Sequence, residues 1–549
     1  MKKIITFAFL RNDMMGGITA GIVALPLALA FGVQSGLGAT AGLYGAIIIG
    51  IVAALVGGTA QQVSGPTGPM TVVSSLVVAN AIAQAGNLEA ALGTILLTFF
   101  LAGVFEMLIG VFRVGGYIRY MPHPVISGFM SGIGVVIILL QIYPLLGHTS
   151  PGSIAGIFTG LAAPLAAVNW AAVGITIATI LIIYLFPRLT SAVPSALVAL
   201  LAATVGANLL QLPAPLIGEI PGGPPTLQLS LFGAISFGGL YQIVGPAMTL
   251  AALGAIDSLL TSVIADNLSR TRHNSNQELI GQGLGNMAAA LFGGIPGAGA
   301  TMRTVVNIRA GGKTTLSGVI HGLFLLAVLL GLGRYTALIP KSVLAGILIT
   351  VGVSIIDFKG LRALRKIPRH DAIIMVLVLV VTVAVDLLLA VAIGMVLASL
   401  FFMKRMSDLA DLQLEKTLLR ETELPDEEGL FDEKDLEKIF IKHLSGPFFF
   451  GFISKFRELV SQLPDVRVVI MRMEEVPFID QSGVVALEDA VIELETRGIQ
   501  VVMTGLRPQP LDRLIGLSIV PDLIAHQHLF ADIQTAAAWA KQFVRPETT

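Results

Sequence analysis

The chain has 549 residues, of which 54% are hydrophobic and 13% are charged, and its mean hydropathy is +0.84. These values lie far from those of soluble proteins, so we expect a membrane protein and not an enzyme. The chain contains no cysteine, which excludes disulfides and thiolate metal sites. Its formal net charge of −1 hides an asymmetry, because acidic residues are concentrated after about residue 402. We expect no nucleic-acid partner.

Apolar segments of membrane-spanning length follow one another from the first residues to about residue 403. They lie near 15–33, 38–57, 66–85, 91–112, 122–145, 170–186, 192–210, 242–264, 280–294, 300–308, 314–332, 336–356, 370–388 and 389–403. Fourteen crossings put both termini on the same side of the membrane. Basic residues concentrate in the loops on that side, so the positive-inside rule predicts a multi-pass protein of the cell (inner) membrane with both termini in the cytoplasm.

Two of these segments begin with runs rich in Gly, Pro and Thr, at 64–68 and at 296–301. The sequences that follow are similar, PMTVV at 69–73 and MRTVV at 302–306. A helix broken within the bilayer is tolerated only where the loose backbone lines a cavity. Matched breaks in the two halves of a chain are typical of the binding site of a secondary transporter.

The similarity between the two halves extends beyond the breaks. The segment 121–128 matches 339–346 at Pro, Val and Gly, and the same offset places Gly134 on Gly352. Seven spans in each half is an odd number, so the second half must enter the membrane inverted. We therefore predict an α-helical membrane protein with a 7+7 inverted repeat and a binding site at the midplane.

The helices that start near Pro66 and Ala300 would direct free N–H groups and positive dipole ends into the gap between the repeats. Such a gap can bind an anion, and Thr67 and Thr301 add hydroxyl groups to it. Arg303, just inside the second broken helix, could neutralise the anion or pair with an acid. The alternative is that Gly and Pro only kink these helices for packing.

Asp257 lies near the centre of an apolar span. A carboxylate there costs about 2.5–3.5 kcal/mol and is taken as functional by default. Thr261 follows one helical turn later, and a carboxylate with a hydroxyl suits a hard cation. The alternative is a structural pair between Asp257 and Arg303. For the other polar groups of the spans, Glu106, His321 and Asp386, we expect interhelical hydrogen bonds.

The character of the sequence changes after Arg405. We divide the chain into a transmembrane transport domain (1–407), an acidic linker (408–436) and a cytoplasmic α/β domain (437–549). In the last part, strands predicted at 439–444, 466–471 and 499–504 alternate with helices predicted at 452–463, 481–496 and 511–517.

Several motifs resemble those of the SulP anion transporters, solute carrier family 26. They are Gly17 to Tyr44 with Leu25-Pro26 and Ala41-Gly42-Leu43-Tyr44, Asn274 to Leu279, Gly311 to Thr314, and residues 437–549, which are similar to the family's STAS domain. The resemblance covers nearly the whole chain. It implies fourteen spans in which a core (spans 1–4 and 8–11) moves against a gate (spans 5–7 and 12–14), usually in a homodimer within membrane lipid.

Within the family, residues 64–70 and 296–303 are most similar to the sodium-dependent bicarbonate symporters. That resemblance implies that Thr67 and the backbone of Ala300 contact bicarbonate. It further implies that the coupling ion, sodium, is held by the residues Asp257, Thr261, Gly299 and Thr301. Arg303 matches a position where animal members have an arginine beside the anion. No cofactor other than the sodium ion is expected.

Asp480 to Gly483 resembles the phosphorylatable serine turn of anti-sigma-factor antagonists, which makes Ser482 a candidate regulatory residue. The alternative is that Ser482 is only a helix N-cap.

The sequence thus predicts a secondary active sodium:bicarbonate symporter that works by alternating access. A proton- or sodium-coupled transporter of sulfate or a dicarboxylate in the same fold is the first alternative. A membrane-anchored STAS signalling protein is the second, and an uncoupled anion channel the third. No nucleotide-binding motif of the form G-x-x-x-x-G-K-[ST] is present in the sequence, which argues against coupling to ATP.

Overall fold

The structure is a computed structural model that describes residues 9–151, 154–190, 193–218, 225–229, 237–385, 387–418, 430–432, 435, 437–448 and 466–545. The chain divides into two compact units, Met1–Ala398 and Ser399–Thr549. The domain limits drawn from the sequence stay predictions, as the helix that begins at Leu387 continues to Leu418.

Among its described residues, the first half of the membrane unit contains ten α-helices and one short strand, besides short 3-10 helices. They are α1 (Leu10–Gln34), α2 (Ala39–Val56), β1 (Ser64–Gly65), α3 (Gly68–Ala85), α4 (Leu88–Val111), α5 (His123–Leu140), α6 (Ile142–Leu145), α7 (Ile154–Gly160), α8 (Ala162–Ala166), α9 (Trp170–Leu185) and α10 (Ser195–Leu209).

The second half, with the helix that leaves it, follows the same order of elements. It consists of α11 (Phe237–Ser269), α12 (Ser275–Leu291), β2 (Ala298–Gly299), α13 (Thr301–Arg309), α14 (Leu316–Leu332), α15 (Lys341–Ile355), α16 (Phe358–Ala363), α17 (Arg369–Ala384) and α18 (Leu387–Leu418).

Each of the fourteen apolar segments predicted from the sequence coincides with a helix. Among the described residues, eight helical segments are long and apolar enough to cross a membrane, and three further apolar helices are shorter. The fold class of a helical membrane protein is confirmed, while the number of fourteen crossings stays a prediction.

The two halves repeat each other in detail at the start of the broken helices. Thr67 is the N-cap of α3 and Ala300 is the N-cap of α13. In both helices the N–H four residues after the cap donates to the carbonyl of the cap at 2.9 Å, from Thr71 and from Thr304. The sequence offset that aligns the two motifs therefore also aligns the helix starts.

The chain segments before these helices pair with each other. Ser64 of β1 lies opposite Gly299 of β2, and Gly65 lies opposite Ala298, in a two-stranded antiparallel sheet. Antiparallel pairing of equivalent segments is what an inverted repeat requires. The pairing also satisfies backbone groups that a break within the membrane would leave exposed.

The C-terminal unit is an α/β domain. Its strands β3 (Ile439–Ser445), β4 (Val468–Glu475), β5 (Gln500–Thr504) and β6 (Leu529–Phe530) form a parallel sheet in the order β3-β4-β5-β6. The helices are α19 (Gln481–Thr496), α20 (Pro508–Gly516), α21 (Ile519–Asp522) and α22 (Ile533–Val544). Apolar cores cover both faces of the sheet.

The sequence predicted the first three strands and α19 and α20 of this domain. The helix expected at 452–463 lies outside the described residues. The strand β6 and the helix α22 were not predicted from the sequence.

Candidate functional site

The N-termini of α3 and α13 lie at the paired breaks. The first four N–H groups of an α-helix, those of the N-cap and of the three residues after it, have no acceptor within the helix. The N–H of the N-cap Ala300 is bound to Val63, which leaves the three that follow each cap. In α13 these belong to residues 301–303, whereas α3 offers only those of Gly68 and Met70, because Pro69 has none. The free N–H groups and the positive dipole ends make both starts suitable for an anion.

The site faces two helices of the predicted gate. A Cβ atom added to Gly68 would lie 2.7 Å from Ile137 of α5 and 3.2 Å from Ile355 of α15. The start of α3 is therefore packed directly against the helices past which a moving core would have to slide.

Two polar side chains at these helix starts, and one from the neighbouring helix α11, have buried atoms without a hydrogen-bond partner among the described residues. The atoms are Thr67 Oγ1, Asp257 Oδ2 and Arg303 Nη1. Asp257 lies close enough to Thr67 and to Arg303 to interact electrostatically with both. A buried polar group without a partner costs free energy, so these three atoms are suited to a ligand.

Arg303 is held in place by one of its two terminal nitrogens. Its side chain is 2% exposed, and Nη2 donates a hydrogen bond to the carbonyl of Pro66 at the other break. Within the described part of the chain, no ion pair of 4.0 Å or less joins Arg303 to Asp257. The two charges do interact over a longer distance, so the alternative of a structural pair between these residues stays a prediction.

The predicted sodium ligands Thr261, Gly299 and Thr301 lie together. The Thr261 hydroxyl donates to the carbonyl of Gly299 at 2.9 Å, and it lies 2.8 Å from the hydroxyl oxygen of Thr301. Asp257 precedes Thr261 by one turn of α11. Three neutral oxygens beside a carboxylate form a set that suits a hard monovalent or divalent cation.

Ala300 lies between Gly299 and Thr301 in the chain and is 7% exposed. Its own N–H donates to the carbonyl of Val63 at 2.9 Å. A backbone contact between Ala300 and an anion stays a prediction, and the N–H groups that follow it in α13 are the better placed donors.

A polar face of α12 supports the broken segments, and the sequence reasoning missed it. Glu278, Gln282 and Asn286 follow each other at intervals of four residues, so they lie along one side of the helix. Gln282 Nε2 donates to Ser64 Oγ at 2.5 Å and to Glu278 Oε1 at 2.8 Å. The same Glu278 oxygen accepts a bond of 2.8 Å from Gln62 Nε2.

Asn286 holds the segment before β2. Its Oδ1 accepts from the N–H of Gly297 at 2.8 Å, and its Nδ2 donates to the Gly297 carbonyl at 3.0 Å. The same amide nitrogen donates to Glu106 Oε2 at 2.7 Å. The interhelical hydrogen bond expected for Glu106 is therefore confirmed.

The expectation for His321 is wrong. This side chain is fully buried, and neither ring nitrogen has a hydrogen-bond partner among the residues that the structure describes. Gly50 lies against the ring, and a Cβ atom added to it would lie 2.9 Å from Nδ1. Asp386 lies outside the described residues.

Ser482 belongs to the C-terminal unit and lies in the first turn of α19. The N-cap of this helix is Asp480, whose carboxylate accepts from the N–H of Gly483 at 2.7 Å. The interpretation of Ser482 as the N-cap is thus wrong, and its regulatory role stays a prediction.

Comparison with known proteins agrees with this architecture. Residues 10–378 match the sulfate permease family, and residues 432–536 match the STAS domain. The bicarbonate transporter BicA of Picosynechococcus is 41% identical over 94% of this chain and 92% of its own length. The putative sulfate transporter YvdB of Bacillus subtilis is 31% identical, over 95% of this chain and 96% of its own.

A solved structure matches the membrane unit as well. The transmembrane domain of a cyanobacterial bicarbonate transporter BicA superposes with a TM-score of 0.66 and 44% identity, covering 70% of this chain and 98% of that one. The helical membrane unit, the paired helix starts and the family match agree with one another. The chain belongs to the sulfate permease (SulP, solute carrier family 26) family and is a multi-pass membrane anion transporter with a C-terminal STAS domain.

Proposed function

We propose that the protein is a sodium:bicarbonate symporter in which the anion lies between the N-termini of α3 and α13. The observation that carries this proposal is the group of buried, unpartnered atoms at the two helix starts: Thr67 Oγ1, Arg303 Nη1 and Asp257 Oδ2. Two of these belong to donors suited to an oxyanion, and the third belongs to a carboxylate suited to a cation.

The anion would receive hydrogen bonds from the Thr67 hydroxyl, the Arg303 guanidinium and the first N–H groups of both helices. Arg303 already spans the two breaks through its bond to Pro66. Bicarbonate is planar and carries one charge, so these donors can bind it without a second basic residue.

Sodium would be held by the Asp257 carboxylate, the hydroxyls of Thr261 and Thr301, and the carbonyl of Gly299. In this arrangement the Thr261 proton turns away from the Gly299 carbonyl, with which it now bonds. All four ligands are oxygens, as a hard cation requires.

The two charges of the site suggest how the ions are coupled. Without sodium, the Asp257 carboxylate lies near the anion position and repels an anion, and it is expensive to bury uncompensated. Sodium neutralises that carboxylate, while the anion neutralises Arg303. The site has no net charge when it is empty and when both ions are bound, whereas one ion alone leaves one unit of charge. Movement of a core that carries a single ion is therefore disfavoured, which couples the two ions.

During alternating access, Gly68 of the core would then have to leave Ile137 and Ile355 and pack against other residues of the gate. Both termini in the cytoplasm and a homodimeric assembly stay predictions from the sequence and the family resemblance.

Sulfate is the second candidate substrate. The Bacillus relative is named a putative sulfate transporter, and hydroxyl, N–H and guanidinium donors bind sulfate as readily as bicarbonate. The site argues against a membrane-anchored signalling protein. Burying Asp257 and Arg303 within the spans costs free energy that a simple membrane anchor would not need to spend.

The test is uptake of radiolabelled bicarbonate, sulfate and fumarate into proteoliposomes that contain the full chain, with and without an inward sodium gradient. We expect bicarbonate uptake that follows sodium and is not accelerated by a proton gradient. Uptake of sulfate or fumarate alone would overturn the substrate assignment, and bicarbonate uptake that ignores sodium would overturn the coupling.

A further inference from the structure

A cavity of about 370 Å³ lies away from the paired helix starts, between helices of the predicted core and gate. The core contributes the end of α1 and the middle of α3, and the gate contributes the end of α5 and the start of α15. Since α1 crosses from the N-terminal side, the cavity opens toward the opposite face of the membrane unit.

The charge of the cavity lining is one-sided. Lys341, the first residue of α15, lines it, and no Asp or Glu is among the lining residues that the structure describes. The backbone N–H of Lys341 is already bound to the carbonyl of Pro215 at 2.8 Å, so the ammonium group is the part that remains for a ligand.

Gln34 supplies a second polar group. Both its amide oxygen and its amide nitrogen are buried, and neither has a hydrogen-bond partner in the described ranges. In contrast, the hydroxyls of Ser35 and Ser75 are committed to main-chain carbonyls at 2.7 Å. His148 also lines the cavity, but its Nε2 lies 2.8 Å from the carbonyl oxygen of Ala167. The lysine and the unsatisfied amide together are an arrangement suited to an anion.

The cavity and one of the paired helix starts lie along the same helix, α3. Ser75 lines it and follows Thr67 by eight residues of α3, or about 12 Å along the helix axis. Because a water molecule in the liquid takes about 30 Å³, the volume can hold a small oxyanion together with several waters.

We propose that this cavity is an outer subsite that collects a small hydrated oxyanion, held by Lys341 and Gln34 before it reaches Thr67. A positive cleft raises the local concentration of anions and their rate of entry, and none of the described lining residues is an acid that would oppose this. The subsite rests on the anion transport of the proposed function but not on sodium coupling.

The natural chain has no cysteine, so a single introduced one reports on the cavity. Thr149→Cys, or Ser150→Cys if the first variant does not fold, places a thiol in the lining. We expect a negatively charged methanethiosulfonate reagent to react faster than a positively charged one of similar size. Adding Lys341→Gln should reduce that ratio about fivefold, as expected for one charge at short range in water.

Bicarbonate or sulfate at millimolar concentration should slow the labelling, and Lys341→Gln or Gln34→Leu should abolish this protection. In transport, Lys341→Gln should raise the apparent KM for external bicarbonate about fivefold, and Lys341→Arg should restore it. Higher ionic strength should weaken the effect of Lys341.

The proposal is overturned if the two reagents react at the same rate, or if Lys341→Gln leaves their ratio unchanged. Glu219, two residues beyond the lining residue Ile217, is the matched control and lies outside the described residues. If Glu219→Gln raised the KM as much as Lys341→Gln, the lysine would be one half of a structural ion pair. Thr67→Val should leave the labelling ratio unchanged. The labelling ratio therefore tests the outer cavity by itself, and a wrong assignment of the anion site at the paired helix starts would not change it.

Discussion

Gly134 of α5 and Gly352 of α15 lie against each other. A Cβ atom added to Gly134 would lie 2.6 Å from the carbonyl oxygen of Gly352, and one added to Gly352 would lie 2.8 Å from that of Gly134. The two glycines are equivalent positions of the sequence repeat, and their helices also begin alike. The N-caps Pro122 and Pro340 share φ −68° and ψ 140°.

This contact predicts that Gly134→Ala destabilises the protein. Alanine normally stabilises a helix relative to glycine, but here the added methyl group would collide with a backbone atom, at a cost of about 1–3 kcal/mol. The thermal unfolding midpoint in detergent should fall. Gly174→Ala on α9, where nothing lies within 4 Å of the added carbon, should be neutral or stabilising. Equal midpoints for the two variants would contradict the close contact.

The Thr67 hydroxyl should contribute to anion binding. Thr67→Val keeps the shape of the side chain and removes the hydroxyl, which should weaken the anion by about 1–3 kcal/mol if a buried hydrogen bond is lost. The change is measured as the apparent KM for bicarbonate in proteoliposomes.

Ala300→Leu tests the other helix start, because a larger side chain would fill the space in front of the N–H groups of α13. We expect uptake to be lost although leucine suits the bilayer. Normal uptake in both Thr67→Val and Ala300→Leu, at normal protein levels, would mean that the breaks are only kinks.

Asp257 should carry the sodium dependence. Asp257→Asn removes the charge and keeps the shape, so bicarbonate uptake should no longer rise with an inward sodium gradient. Glu89→Gln, which removes an exposed carboxylate from the first turn of α4, is the matched control. Sodium dependence that survives in Asp257→Asn would exclude this residue as a ligand of the cation.

Asn286 should stabilise the break before β2. Asn286→Leu removes two hydrogen bonds to Gly297 and leaves the buried Glu106 without its donor, at a cost of about 2–4 kcal/mol. Unfolding midpoints of the single variants and of Asn286→Leu combined with Glu106→Leu form a double-mutant cycle. The double variant should recover part of the loss, and strict additivity would argue against coupling between the two side chains.

The buried Lys442 of β3 should make the stability of the STAS domain depend on pH. Burial lowers the pKa of this lysine to about 8, and the side chain is 8% exposed. In an unfolded chain the pKa of a lysine is about 10.4. Below pH 8 the folded domain must bury the charged ammonium group, which lowers its free energy of unfolding. This loss becomes smaller as the pH rises from 8 toward 10, because the buried lysine is then neutral. Lys442→Met should therefore stabilise the domain at pH 7 by about 1–3 kcal/mol, and less at pH 10.

Hydrogen exchange of peptides from β3 to β5 in the full chain measures this effect. Lys438→Met changes an exposed lysine just before the strand and should have little influence on exchange at either pH. Faster exchange in Lys442→Met than in the natural protein at pH 7 would show that the lysine has a stabilising partner.

The sequence predicted the helices and the paired breaks well because apolar length and helix-breaking residues are local signals. It also predicted α19 with the bounds Gln481–Thr496 from its amphipathic pattern, although the N-cap is Asp480 and not Ser482. The strand β6 has two residues, too few for an alternating pattern, and only its pairing with β5 defines it.

The polar face of α12 was missed for a different reason. Each of its residues alone has the character of an ordinary helix surface, and only the i, i+4, i+8 spacing of Glu278, Gln282 and Asn286 within an apolar region carries the signal. The environment of His321 could not be predicted either, because a lone histidine in a span gives no information on which helix faces it.

The side chains of α12 hold the two halves of the candidate site together. Gln282 and Asn286 bind the segments before both broken helices, Ser64 on one side and Gly297 on the other. The two halves of the site are thus fastened to a common support and to each other through β1 and β2. We therefore expect the two broken helices to move together with α12 and not to separate from each other. In the proposed mechanism the distances between the ion ligands would stay constant, and only the packing of the core against α5 and α15 would change.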